Sequence, residues 1–279
     1  MKASIKEPSF IDFMGKHLVV LSGVAERFEN GKHVRTDGFK LSGWILRLHD
    51  EFYWVTAGHC LGNLDDGIRG GTLRIIECGF ADYFGDNARY GHNIPFSYEL
   101  GCGFYIDDDA QALDFGVIPL NHITVLNLIA NGVKAIGREN WEKQHAMVFE
   151  HYKMLGVPAH LSQFSISPGG EFSDKVQPIM IAIERVDPAS IPNPLPEGWF
   201  VGRMYPKFSI DDIAGMSGGP IYGFRRLSDG QFVYHVVALQ SRWRKDSRII
   251  FGCPVPRFAE WLHEELDLFI SAGQGKSSV

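Results

Sequence analysis

Three short segments of the chain carry side chains able to perform acyl transfer if the fold brings them together. The first is Gly215-Met216-Ser217-Gly218-Gly219-Pro220. A serine set among glycines lets the backbone turn tightly, exposing the hydroxyl and aiming consecutive N–H groups at one point. The second is Val55-Thr56-Ala57-Gly58-His59-Cys60, where a strand-like run ends in small residues and then presents a histidine. Histidine is the side chain that moves protons most readily near neutral pH. The third is Leu113-Asp114-Phe115-Gly116-Val117-Ile118, an acidic residue entering an apolar strand. Burying a carboxylate there is costly unless it is paired. Each segment also has a plain reading: a flexible turn, a structural histidine, a strand cap. Together, in this order, they point to a nucleophile, a base and an acid that orients the base. The histidines show no HExxH or comparable ligand spacing, so neither a metal nor another cofactor is expected.

The elements that must hold these residues are mostly strands. Strand-like spans fall at 41–48, 52–57, 72–80, 115–120, 147–157, 178–186, 199–205, 232–239 and 248–255, and the apolar run 18–25 reads as a first strand. Turn chemistry separates several of them, as in Asp65-Asp66-Gly67 and Ser228-Asp229-Gly230. Two stretches have helical periodicity. In 123–130, Ile123, Leu126 and Ala130 share a face. In 257–271, Phe258, Leu262, Leu266 and Phe269 lie on one side, with Glu260, Glu264 and Glu265 off it. Many short strands before a C-terminal helix predict a sandwich or barrels. The strand pattern lapses between residues 121 and 141, where a boundary is expected. The stretch 187–198 holds four prolines and reads as a surface loop.

Composition sets outer bounds. The 279 residues are 45% hydrophobic and 22% charged, enough for a sizeable core. A net charge of −6 gives no reason to expect nucleic acid or an anionic membrane as partner. No apolar run approaches the ~20 residues that span a bilayer. The N-terminal region, with Glu7, Pro8 and Asp12, lacks the pattern of a secretory leader. The four cysteines, at 60, 78, 102 and 253, form no CxxC pair.

The motifs resemble those of the chymotrypsin/trypsin-like serine proteases. Ala57-Gly58-His59-Cys60 looks like the family's histidine motif, Leu113-Asp114-Phe115 like its buried aspartate segment, and residues 215–220 like its serine motif. The general description of the Ser-His-Asp triad uses this family, with the same chain order. The resemblance runs from about residue 41 to 266 and implies an all-β fold of two antiparallel six-stranded β-barrels with a closing helix. One barrel lobe (1–125) would carry His59 and Asp114, and the other (126–279) would carry Ser217. It implies peptide hydrolysis through an acyl-enzyme: Ser217 attacks, His59 shuttles the proton, Asp114 orients the imidazole, and the N–H groups of Gly215 and Ser217 form the oxyanion hole. Ser241, in Leu239-Gln240-Ser241-Arg242-Trp243, resembles the serine beside the triad on the strand that pairs with substrate. Asp211, six residues before Ser217, stands at the offset where trypsin-like members place the specificity carboxylate, which implies cleavage after Arg or Lys. The other reading of Asp211-Asp212 is an exposed acidic turn.

Three departures from the family pattern carry information. The cysteine that secreted members pair with the equivalent of Cys60 would lie near Ser42 or Trp44, and none is there. This implies reduced thiols and an intracellular, bacterial-type branch with a cytoplasmic address. Arg242 and Trp243 stand where the family tends to have an aromatic residue and glycine. Met216 replaces the aspartate that, in digestive members, pairs with a newly released α-ammonium group. Activation by a cut N-terminus is therefore not expected. A protease without a visible pro-segment has to be restrained, so a regulatory protein partner is expected beside the protein or peptide substrate. Two alternatives stay open. One is a catalytically silent binding module on the same fold. The other is an α/β-hydrolase-type esterase, since residues 215–219 also satisfy G-x-S-x-G, with Asp246 and His263 as later partners. Against the esterase, Gly218-Gly219-Pro220 followed by Ile221-Tyr222 reads as strand entry rather than helix.

Overall fold

A computed structural model describes residues 10–48, 50–82, 93–141, 149–161, 163–166, 172–175, 177–205, 210 and 212–274. The chain opens with a short helix, α1 (Phe10–Gly15), and enters β1 (Leu18–Glu29) and the long β2 (Lys32–Leu48). Asn30 and Gly31, both at positive φ, close that hairpin. β3 (Glu51–Thr56) leads into α2 (Gly58–Arg69), followed by β4 (Leu73–Ala81), β5 (Ile94–Pro95), β6 (Phe104–Asp108) and β7 (Leu113–Pro119). These seven strands form one antiparallel sheet in the order β5-β4-β1-β2-β3-β7-β6.

After α3 (His122–Ala130), the remaining strands are β8 (His151–Gly156), β9 (Gln163–Ile166), β10 (Phe172–Lys175), β11 (Ile179–Arg185), β12 (Phe200–Met204), β13 (Pro220–Arg226), β14 (Phe232–Arg244) and β15 (Ile249–Pro254). Six of them close a barrel, β11-β12-β15-β14-β13-β8, while β9 and β10 pair separately. Helix α4 (Val255–Gln274) ends the described chain. The all-β class with a closing helix is therefore found. One lobe is a closed six-stranded barrel, and the other, where a second six-stranded barrel is expected, is a seven-stranded sheet.

Among the described residues, three of the four apolar clusters hold these layers. Val19, Leu21, Ile45, Trp54 and Phe80 fill the first sheet's interior, where the Trp54 indole N–H also donates to the Val19 carbonyl at 2.9 Å. Met154, Ile181, Phe200, Met216, Ile221 and Ile250 fill the barrel. The third joins both sheets, with Trp44, Val55 and Phe115 from the first and Leu155, Leu239 and Phe251 from the second. Helix α4 seals it by stacking Phe258 on Phe115, ring centroids 4.3 Å apart. This shared core fixes the site, because residues from both sheets meet at its edge.

Several local expectations are corrected. Asp65-Asp66-Gly67 is not a turn but lies inside α2, where Asp65 is buried and accepts a hydrogen bond from the Tyr98 hydroxyl at 2.8 Å. Leu61, Leu64 and Ile68 line one side of that helix, and this pairing outweighs the local turn preference of Asp and Gly. Helix α3 forms, but it buries Val125 and Leu128 and leaves Ile123 and Leu126 exposed. Its sequence is apolar on nearly every side, so periodicity could not choose the face. The strand expected at 147–157 begins at His151 in β8, and residues 147 and 148 lie outside the described residues.

Candidate active site

His59 sits at the start of α2, where the chain turns sharply out of β3. Gly58 makes the turn, since a Cβ there would lie 2.0 Å from the Ile106 carbonyl oxygen of β6. Ala57 offers no side-chain cap to the helix. Asp114 of β7 supplies one instead: its Oδ1 accepts the His59 backbone N–H at 2.8 Å. A carboxylate over the first turn satisfies one of the orphan donors there and lies at the positive end of the helix dipole. Its other oxygen, Oδ2, lies 2.7 Å from His59 Nδ1. One fully buried carboxylate thus caps the helix and holds the ring that the helix presents.

Asp114 has further partners. Ser241 Oγ donates to Oδ2, and Arg242 Nη1 donates to it at 2.9 Å. Below it, the buried Cys253 thiol accepts the Asp114 backbone N–H at 3.1 Å and donates to the Ala112 carbonyl at 2.7 Å. Burial alone would raise the Asp114 pKa, but the bonds from His59 and Ser241 win and hold it below the usual carboxylate range. Burial likewise opposes a charged His59 ring, yet the bond to the Asp114 carboxylate wins there too and raises its pKa above the ordinary imidazole range.

Ser217 comes from the other side, on the loop between β12 and β13. Gly215 and Gly218 take positive φ of +91° and +92°. A Cβ on Gly218 would meet the Ser42 carbonyl and the Thr56 hydroxyl at 2.2 Å, so the loop can rest on β2 and β3 only as glycine. Four hydrogen bonds fix its path. Ala159 N–H donates to the Ala214 carbonyl at 2.7 Å, Ser42 Oγ to the Gly215 carbonyl at 3.0 Å, Met216 N–H to Ile213 at 3.0 Å, and Gly218 N–H to Gln240 at 2.8 Å. With the 214 and 215 carbonyls held elsewhere, the Gly215 and Ser217 N–H groups have no hydrogen-bond partner among the described residues. Met216 turns inward and is fully buried in the barrel core.

His59, Gly215 and Ser217 line one cavity of about 270 Å³, together with Leu41, Cys60 and Leu64. Ser217 Oγ donates to the Ser241 carbonyl at 3.4 Å, while His59 Nε2 lies 3.6 Å from Cys60 Sγ. The serine–histidine hydrogen bond is not made in this rotamer. Catalytic contacts of this kind often tighten only with substrate present.

No family model and no curated protein matches this chain. Solved structures do. The chain is similar to a structure described as the Rv3671c protease from M. tuberculosis, active form, at 14% identity and a TM-score of 0.44, covering 91% of this chain and 83% of that one. It is also similar to a Glu endopeptidase in complex with MPD, at 14% identity and a TM-score of 0.45, covering 87% and 89%.

The structure thus brings together five of the six residues singled out from sequence: His59, Asp114, Gly215, Ser217 and Ser241. Asp211 lies outside the described residues. Its neighbour Asp212 is partly exposed, accepts the Ala214 N–H at 2.8 Å and pairs with Lys245 at 3.6 Å. The nucleophile-elbow alternative fails on the element that follows Ser217, which is strand β13 and not a helix. Ser42 went unassigned. Its buried hydroxyl, near the place (Ser42 or Trp44) where the resemblance called for a cysteine, donates to Gly215 and accepts the Val157 N–H at 3.1 Å. All four cysteines are free. Among the described residues no His/Cys/Asp/Glu group could hold a metal, and no helix is long and apolar enough to cross a membrane.

Proposed function

We propose that this chain is a serine endopeptidase with Ser217 as nucleophile, His59 as general base and acid, and Asp114 as the group that orients the imidazole. One observation carries the reading. A histidine held by a buried carboxylate and a serine on a glycine-built loop with two unengaged N–H groups open onto one cavity, although they come from different sheets. Rotating the Ser217 hydroxyl off the Ser241 carbonyl brings it toward Nε2. His59 then takes the Oγ proton as Oγ attacks a peptide carbonyl, and the Gly215 and Ser217 N–H groups receive the oxyanion. The proton passes to the leaving amine, and water repeats the cycle on the acyl-enzyme. No cofactor enters these steps. Residues 1–125 would supply the base and acid, and residues 126–279 the nucleophile.

Cleavage after Arg or Lys is the specificity we assign, with Asp211 as the carboxylate that selects a cationic side chain. We also assign a cytoplasmic address, which the free thiols and the missing partner of Cys60 support. A catalytically silent module is the second reading, favoured by the Ser217 hydroxyl resting on Ser241 and not on His59. Labelling with a fluorophosphonate separates the two. The wild-type chain should label at Ser217 and hydrolyse a peptide library. Ser217→Ala should lose labelling and about a millionfold in turnover with its melting temperature unchanged. Unlabelled, inactive wild type would favour the silent module, and a cleavage preference for apolar residues would remove Asp211 from its role.

A further inference from the structure

Beyond the three proposed catalytic residues, we propose that Arg242 is a positioning residue that offsets part of the pull of Asp114 toward a charged His59 ring by placing a guanidinium against the imidazole edge bound to that carboxylate. This rests on the reading of His59 as the general base. Arg242 Nη1 lies 2.8 Å from His59 Nδ1 and 2.9 Å from Asp114 Oδ2, while Nδ1 itself lies 2.7 Å from the same oxygen. These three atoms form a tight triangle around one carboxylate oxygen that also accepts Ser241 Oγ.

The backbone is built to bring Arg242 there. Successive side chains of a strand normally point to opposite faces. In β14 the pairing with β15 slips between Gln240 and Arg242, so Gln240 faces Gly252 and Arg242 faces Phe251. Ser241 is the extra residue of a bulge, a device that re-aims side chains near functional sites. Its effect here is that two consecutive residues, Ser241 and Arg242, both reach Asp114. The far side of the guanidinium is held by Asp107 of β6, through Nη2, and by Asp109 at 3.4 Å.

The chemistry gives this placement a purpose. A buried carboxylate beside an imidazole stabilises the imidazolium, and a ring protonated at rest cannot accept the serine proton. A guanidinium 2.8 Å from Nδ1 works in the opposite direction. It repels a charged ring and shares the Asp114 charge that would stabilise one, while Nδ1 keeps the proton it donates to Asp114 and Nε2 remains the accepting nitrogen. The other groups around the ring are the Cys60 thiol near Nε2, the Cys253 thiol beneath Asp114 and, through Arg242, Asp107 and Asp109. Arg257 of α4 is directed to the Gln111 carbonyl. Among the described residues, no other cation is recorded within hydrogen-bonding distance of the His59 ring.

The test reads His59 directly, by following its imidazole ¹⁵N and ¹³C shifts against pH in wild type, Arg242→Gln, Arg242→Met and Arg242→Lys. Removing the charge should raise the His59 pKa by about one unit or more in the Gln and Met variants, and Lys should restore at least part of the wild-type value. An unchanged or lowered value in the folded Gln or Met variant overturns the proposal. So does loss of fold in both, because Arg242 would then be a structural residue. The titration needs no turnover, so it stands apart from whether the chain hydrolyses peptides. Where turnover is measured, the acidic limb of kcat/KM should move with the ring.

Discussion

Ser42 shows how one hydroxyl can serve a site it does not touch chemically. It is fully buried in β2, yet its oxygen donates across to Gly215 in the Ser217 loop and accepts from Val157 beyond β8. The first bond holds the Gly215 carbonyl away from the place where the oxyanion would form. Ser42→Ala leaves that carbonyl and the Val157 N–H without partners in a buried setting, which costs about 1–3 kcal/mol of stability. Because the carbonyl's direction matters only while the oxyanion exists, kcat should fall by about tenfold or more with KM little changed. Equal kcat in the variant would show that the loop keeps its path without this tether.

At the scale of elements, α1 and β1 are fastened to the barrel through His17. The ring is nearly fully buried, with Nδ1 donating to the Lys134 carbonyl at 2.7 Å and Nε2 accepting from the Tyr234 hydroxyl at 2.8 Å. Burial lowers its pKa from 6.5 to about 4, against the smaller opposing effect of the Lys134 carbonyl. The unfolded chain therefore binds this proton before the folded one does. The stabilisation is complete above pH 6.5 and is lost as the pH falls toward 4, in total about 3 kcal/mol. Thermal melts should show wild type losing stability across that window and His17→Gln, which keeps a donor and an acceptor, losing less. Parallel curves would remove His17 from the account. The Ser217 loop is fastened differently, by the apolar burial of Met216 and by bonds to Ala159 and Ser42. Met216, buried and uncharged, offers no carboxylate with which an α-ammonium group could pair. An active-site titrant should thus react with the chain as it stands, without prior trimming of its N-terminus.

For the whole molecule, the two sheets and α4 are joined by a shared apolar core with no disulfide. No cysteine stands near Ser42 or Trp44, where the resemblance puts the partner of Cys60, and Cys253 is committed to the backbone around Asp114. Cys78 Sγ donates to the Phe96 carbonyl at 2.9 Å, and burial pushes its thiol up to about 11, away from the reactive thiolate. Thiol titration in denaturant without reductant should count four. A count of two would mean that one pair has been oxidised and that the protein matures in an oxidising compartment.

Much of the site was legible in the sequence because its chemistry is local in kind. Only glycine permits the positive φ at 215 and 218, only certain side chains can serve as nucleophile, base and acid, and the strands flanking Asp114 and His59 alternate or run apolar in short stretches. The class of the fold followed from the same short strands and their turns. Helix α2 was missed because Asp65, Asp66 and Gly67 carry turn preferences that packing against β6 and β7 overrides. The buried face of α3 was misread because six of its nine residues are apolar and leave no clear polar side. Ser42, the Ser241 bulge and the inward reach of Arg242 are matters of register and long-range contact, joining residues more than a hundred positions apart. Residue type fixes what a side chain can do. Which atom it meets depends on strand pairing and on how the two sheets close over their common core, and that is decided only when the chain is folded.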